Sequence, residues 1–178
     1  RVLFRSMDAI ADIKIGVIAS STGPTAVVGI PQKQTVALLP TEIGGQKVEY
    51  IVLDDASDPT NAVTNVKKLI TEQKVDALIG PTTTPAALAM LDFVAESKTP
   101  LVTTVGSSAI IQPMDDKKKW VFKTTQNDDL IAGALIEHMT ANGVKTLGFI
   151  GFNDPYGENW FKVFGAMAEK AGLKLLVS

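Results

Sequence analysis

The sequence predicts an α/β fold in which helices cover both faces of a parallel sheet, and three observations carry that reading. Short apolar runs rich in β-branched residues alternate with longer segments of helical period, the pattern of βαβ units. The apolar runs are continuous rather than alternating, as strands buried on both faces require. Three strand-to-helix junctions, Asp58-Pro59, Thr84-Pro85 and Asp154-Pro155, each put a good N-cap before a proline suited to the first helical position.

Strands are expected at residues 13–19, 48–53, 77–79, 101–103, 146–150 and 173–177, with a short one over 120–123. A short first helix should run from about residue 30 to 39, followed by the turn Ile43-Gly44-Gly45. Ala62, Val66, Leu69 and Gln73 have the spacing of a second helix, with Ala62, Val63, Val66, Leu69 and Ile70 on its buried side. Ala86, Met90, Phe93 and Val94 set the face of the next. Ile131, Ala134, Leu135 and Met139 mark another, which ends at Asn142-Gly143 because glycine takes the left-handed C-cap conformation. Trp160, Phe164, Met167, Ala168 and Ala171 form a last stripe before Gly172, and these aromatic and methionine positions read as core. All three capped junctions follow strands, so they gather at the carboxyl edge of the sheet, where open α/β folds bind ligands. Helix amide ends there favour an anion.

The run Asp115-Asp116-Lys117-Lys118-Lys119 reads as a solvated turn, and a new α/β repeat starts after residue 124. Residues 12–124 are therefore expected to form a complete first unit and residues 125–178 the opening of an unfinished second one. Residues 1–11 are set apart as a non-native scar and leader remnant. Arg-Val-Leu-Phe-Arg-Ser at the start holds both arginines, Arg1 and Arg5, and reads as a translated sequencing adapter.

With 46% hydrophobic and 20% charged residues over 178 positions, the chain can bury one large or two small cores, which excludes disorder. Lysine and arginine number 17 against 19 acidic residues, a net charge of −2 that becomes −4 without the two leading arginines. These totals imply no basic face and argue against nucleic acid as a partner. The absence of cysteine excludes disulfides, thiolate metal sites and cysteine nucleophiles. No segment approaches the ~20 apolar residues of a membrane span.

The body from Met7 onward contains no arginine, so a ligand carboxylate cannot be held here by a guanidinium fork. Backbone amides, hydroxyls or lysine must substitute. Thr82, Thr83 and Thr84 place hydroxyls at a helix start, and Ser107-Ser108 adds two more across the sheet's edge. Asp54, Asp55 and Asp58 lack the D-x-D-x-D-G order and distant glutamate of a calcium loop and read as turn and capping residues. His138 is the one histidine and supports no triad. A nucleotide-binding enzyme is the main competitor, but no G-x-G-x-x-G follows the first strand, and neither G-x-x-x-x-G-K-[ST] nor G-x-S-x-G occurs. Catalytic residues, metal and cofactor are all expected to be absent.

The ordered set Ser21-Thr22-Gly23-Pro24, Asp54-Asp55-Ala56-Ser57-Asp58-Pro59 and Gly80-Pro81-Thr82-Thr83-Thr84, continued by Tyr156-Gly157, resembles the type I solute-binding proteins of branched-chain amino acid ABC transporters. The likeness spans nearly the whole chain from Asp12. It implies a periplasmic protein whose signal peptide has been lost from this sequence, a monomer that delivers a small molecule to an ABC permease and catalyses nothing. It also implies a first lobe that grips the ligand's α-carboxylate and α-amino groups through Thr84, beside Thr83, and through Val105, Gly106 and Ser107, with Tyr156 facing the cleft from the second lobe. Thr84 has a second reading as an N-cap, Ser107 as a polar loop residue and Tyr156 as a packed junction aromatic. The family often has an aromatic residue where this chain has Val28, beside Gly29, and its first helix is longer, which opens the way to aromatic or aliphatic carboxylates as ligands. A ligand-sensing domain of a receptor or regulator shares the same implied fold.

Overall fold

The computed structural model describes residues 12–176. The expected scar and leader remnant over residues 1–11 lies outside them, as do residues 177 and 178. β1 (Ile13–Ala19) lies inside a six-stranded sheet with β2 (Glu42–Ile43), β3 (Gln46–Asp54), β4 (Ala77–Ile79), β5 (Leu101–Thr103) and β6 (Val121–Lys123). The order is β2-β3-β1-β4-β5-β6, and every pairing is parallel except the edge hairpin β2–β3. Gly44 and Gly45 make that hairpin turn with φ of 60° and 81°, values that a two-residue loop of this hand requires at both positions.

Register places the ligand edge. Ile13 pairs with Val48 and Ala19 with Asp54, so β1 and β3 end level and the loops that follow them lie side by side. Helices α2 (Pro59–Thr71) and α3 (Thr84–Ser97) pack together over the sheet, and Ile18, Val66, Leu69, Leu78, Met90, Val94 and Leu101 are buried between the layers. The expected faces are largely those observed: Ala62, Val66, Leu69, Ala86, Met90 and Val94 are buried, while Val63, Ile70 and Phe93 are half-buried at the rim.

A second hydrophobic cluster forms around α4 (Asp128–Ala141) and α5 (Pro155–Lys170), which flank a two-stranded parallel sheet of β7 (Thr146–Leu147) and β8 (Lys174–Leu175). Its buried members are Ala132, Ile136, Phe164, Ala168 and Leu173.

Several expectations are corrected. Helix α1 spans Ala26–Val36 rather than 30–39, so Pro31 sits inside it. The helix tolerates this proline because the carbonyl that loses its donor belongs to Val27, which is 81% exposed and open to water. Only Gly29 of α1 is buried. A Cβ there would stand 2.0 Å from the Ser20 carbonyl oxygen, so glycine is what lets α1 start against the end of β1. In α4 the buried apolar residues are Ala132 and Ile136, whereas Ala134 and Leu135 are exposed. That helix is apolar around most of its circumference, and periodicity therefore does not select a face. Strand β7 stops at Leu147 instead of residue 150, since β8 is its one partner among the described residues; Ile150 is fully exposed. Ala171, expected on the α5 stripe, is also exposed. Asp58 and Asp154 cap α2 and α5 as expected, each accepting two backbone amides. At α3 the cap position is Thr83, and Thr84 is already the first helical residue.

Candidate functional site

The loops after β1 and β3 are tied by aspartates. Asp54 accepts the Ser21 amide at 2.9 Å, the Thr22 hydroxyl at 2.7 Å and the Ala56 amide at 2.9 Å. Burial is the largest single influence on this carboxyl and pushes its pKa up, but the hydrogen bonds from Ala56, Thr22 and Ser21 together outweigh it and hold Asp54 below the usual aspartate value. Asp55 is fully buried and accepts the Ser20 hydroxyl at 2.6 Å and the Ser57 amide at 3.0 Å. Ser57 closes the set by donating to the Thr22 carbonyl at 3.0 Å. The aspartates fix loops, and among the described residues no group of acidic and histidine side chains is placed to hold a metal ion. His138 is exposed near the end of α4, where Asn142 Nδ2 donates to its backbone carbonyl at 2.8 Å.

These loops support one wall of a cleft of about 340 Å³. Thr25, Val28 and Gln32 line it from α1 and the turn before it. Thr82, Thr83, Thr84 and Pro85 contribute the start of α3, and Thr104 and Gly106 the segment after β5. Phe152 and Asp154 before α5 and Tyr156 in its first turn close it from the other side. Of the residues picked from the sequence, Thr83, Thr84, Gly106 and Tyr156 thus meet in one cavity.

Val105 and Ser107 lie behind that wall. Both are buried; the Val105 carbonyl accepts the Thr125 hydroxyl at 2.7 Å, and the Ser107 hydroxyl accepts the Ala109 amide at 3.2 Å as cap of the 3₁₀ turn Ser108–Ile110. Gln32, Thr104, Thr25 and Phe152 went unnoticed in the sequence. Gln32 was legible in principle, because it stands one helical turn after Val28 once α1 begins at Ala26.

Thr84 has the most telling environment. It is 3% exposed, and its hydroxyl makes no hydrogen bond to any described residue although it lines the cleft. Unlike α2 and α5, helix α3 starts without a side-chain cap. An unpartnered hydroxyl at an uncapped helix start therefore lines the cavity, an arrangement suited to an anionic oxygen. On the opposite side Tyr156 and Phe152 present aromatic rings with centroids 6.4 Å apart. They also line an adjoining hollow of about 450 Å³ with Phe149 and Trp160.

Asp128, the first residue of α4, joins the two clusters. It is 1% exposed, and its Oδ2 accepts the Ser108 amide at 3.2 Å and Asn159 Nδ2 from α5. Burial raises its pKa against the hydrogen bonds from Ser108 and Asn159 and the charge of Lys123. Lys123 is pushed down by burial in turn, and its Nζ donates to the Thr125 carbonyl at 2.9 Å.

Parallel α/β layers with a polar cleft at the strands' carboxyl ends define a ligand-binding α/β protein, and comparison with known proteins specifies the family. Residues 12–178 match the periplasmic binding protein family, and the chain belongs to it, a family of solute-binding proteins. It is 28% identical over 172 residues to Leu/Ile/Val-binding protein homolog 3 of Brucella melitensis, covering 93% of this chain and 46% of that protein. It is 27% identical over 175 residues to the Leu/Ile/Val-binding protein BraC3 of Rhizobium johnstonii, covering 94% and 47%. Among solved structures, an extracellular ligand-binding receptor from Rhodopseudomonas palustris superposes with a TM-score of 0.90 at 48% identity over 94% of this chain and 47% of that one. The chain spans about half the length of these relatives. Among the described residues no helix is long and apolar enough to cross a membrane.

Proposed function

We propose that this chain forms the ligand-gripping part of a periplasmic solute-binding protein that captures a small carboxylate and delivers it to an ABC permease. Residues 12–124 are the first lobe and residues 125–178 the start of a second, which swings over the ligand. One observation carries this reading: the unpartnered Thr84 hydroxyl, on a residue only 3% exposed, opens the uncapped α3 inside a cleft lined from the loops of the six-stranded sheet and from the start of α5. With no arginine at hand, that hydroxyl, its neighbour Thr83 and the helix amides take the carboxylate. Gly106 lets backbone approach the ligand, and Tyr156 covers it. The protein works as a monomer in the periplasm and uses no cofactor.

Branched-chain and other hydrophobic amino acids are the first ligand class, supported by the names of the Brucella and Rhizobium relatives. Aromatic or aliphatic carboxylates are the second, favoured by the exposed Val28 and the aromatic rings of Phe152 and Tyr156 on the cleft. Thermal-shift measurement of the full-length protein with leucine, valine, phenylalanine, benzoates and nucleotides tests the proposal. A raised melting temperature with an amino acid or carboxylate supports it; a response to nucleotides alone contradicts it.

A further inference from the structure

Beside the start of α3, where the carboxylate is proposed to bind, Gln32, Thr82 and Thr104 build a second polar wall of the cleft whose hydrogen-bond direction is fixed. The Ser20 amide donates to Thr82 Oγ1 at 2.9 Å, and the Thr82 hydroxyl gives its proton to Gln32 Oε1 at 2.6 Å. Gln32 Nε2 then donates to Thr104 Oγ1 at 3.2 Å, and the Thr104 hydroxyl donates to the Pro81 carbonyl at 3.0 Å. A threonine hydroxyl has one proton and two lone pairs. Both hydroxyl protons are thus spent inside the protein. The wall is left with a lone pair on each of Thr82 Oγ1, Thr104 Oγ1 and Gln32 Oε1, against one remaining N–H of Gln32. Thr83 and Thr84, by contrast, keep free hydroxyl protons. The cleft is therefore polarised, with donors at the start of α3 and mostly acceptors at Gln32.

Gln32 and Thr104 also line a second cavity of about 230 Å³ between α1 and the sheet, with Val17, Val36, Leu39 and Ile79. They are the residues common to this apolar space and the cleft, so their hydrogen bond stands where the two meet.

From these two observations we infer that Gln32 is a specificity-determining residue: it selects carboxylates that carry a hydrogen-bond donor, a hydroxyl or an amine, at the end remote from the carboxylate, and it shuts longer apolar tails out of the space behind it. The inference rests on the second ligand class of the carboxylate-binding reading, the aromatic or aliphatic carboxylates, and favours it over the branched-chain amino acids. A second carboxylate at the remote end meets lone pairs and is rejected. An apolar end leaves the wall unsatisfied, which is the kind of mismatch that discriminates strongly between ligands.

Titration calorimetry on the full-length protein with 4-hydroxybenzoate, benzoate, terephthalate and 4-butylbenzoate tests this. Wild type is expected to bind 4-hydroxybenzoate about tenfold or more tighter than benzoate, the effect of one satisfied polar group, and to reject the other two. Gln32→Ala is expected to bring that ratio near one and to admit 4-butylbenzoate, because the two cavities merge. If Gln32→Ala does not fold, Gln32→Glu keeps the bond from Thr82, replaces both Nε2 hydrogens by a charged oxygen at the loss of the bond to Thr104, and should shift preference toward 4-(aminomethyl)benzoate. A hydroxyl preference that persists in Gln32→Ala, or an unchanged order in Gln32→Glu, overturns the inference. Equal wild-type affinity for benzoate and 4-hydroxybenzoate overturns it too and leaves the carboxylate reading standing, as does binding of leucine with none of the four. Failure to bind any carboxylate or amino acid sinks both.

Discussion

The ring of Tyr156 lies so close to Gly106 that a Cβ added to the glycine would stand 3.0 Å from Tyr156 Cε2. Gly106 follows β5 of the larger sheet and Tyr156 opens α5 beside the smaller one, so this contact joins the two clusters at the mouth of the cleft. A methyl group fits only if the ring gives way by a few tenths of an ångström. Gly106→Ala should therefore weaken ligand binding several-fold while leaving the melting temperature nearly unchanged. In a Tyr156→Ala background the same substitution should cost nothing further, and a double-mutant cycle read by calorimetry gives the coupling, about 0.5–3 kcal/mol for contacting residues.

Gly29 should be the most sensitive position of α1. Its missing Cβ would meet the Ser20 backbone, which cannot rotate away as a side chain can. Gly29→Ala is expected to cost about 1–3 kcal/mol, the range for overpacking, whereas Val27→Ala at an 81% exposed site should fall within the noise of surface changes. Urea denaturation of the two variants makes the comparison. Because Gln32 shares the helix, Gly29→Ala should also lower ligand affinity.

Asp128 predicts a pH effect of definite sign. Burial places its folded pKa above the ordinary 3.8, so the folded state holds that proton more tightly than the unfolded one. The group's contribution is fully present below 3.8 and is lost as pH rises through the raised folded value. Asp128→Asn removes the titration while keeping an oxygen for the Ser108 amide. Stability of the wild type minus that of the variant should therefore fall as pH increases through this window, measured by denaturation at a series of pH values. Asp54 runs the other way: its lowered pKa stabilises the fold above 3.8 and is lost as the pH falls, so Asp54→Asn should flatten the acid limb of the stability curve.

The residues that made the fold legible are those whose local chemistry is decisive. Asp58-Pro59 and Asp154-Pro155 announced helix starts because an aspartate cap and a proline at the first turn act within three residues of each other. Runs such as residues 13–19 and 101–103 showed as strands because a sheet covered on both faces needs unbroken apolar residues. Helix α1 was misplaced because Pro31 looks like a first-turn residue, and only the approach of Gly29 to Ser20, a contact distant in character from any propensity, shows that the helix begins earlier. The site followed the same division. Thr83, Thr84, Gly106 and Tyr156 sit at element ends, where position is set locally, and they meet in the cleft. Gln32 and Thr104 acquire their role through bonds to each other across 72 positions of sequence, which no local pattern encodes.

If Thr84 and the start of α3 hold a ligand carboxylate, titration calorimetry of Thr84→Val beside Thr84→Ser in the full-length protein will show it. The serine variant keeps a hydroxyl and should bind within a few-fold of wild type, while the isosteric valine variant should lose about 1–3 kcal/mol of affinity for one buried polar contact. A folded Thr84→Val protein that binds its ligand as tightly as wild type would rule out a carboxylate contact at Thr84.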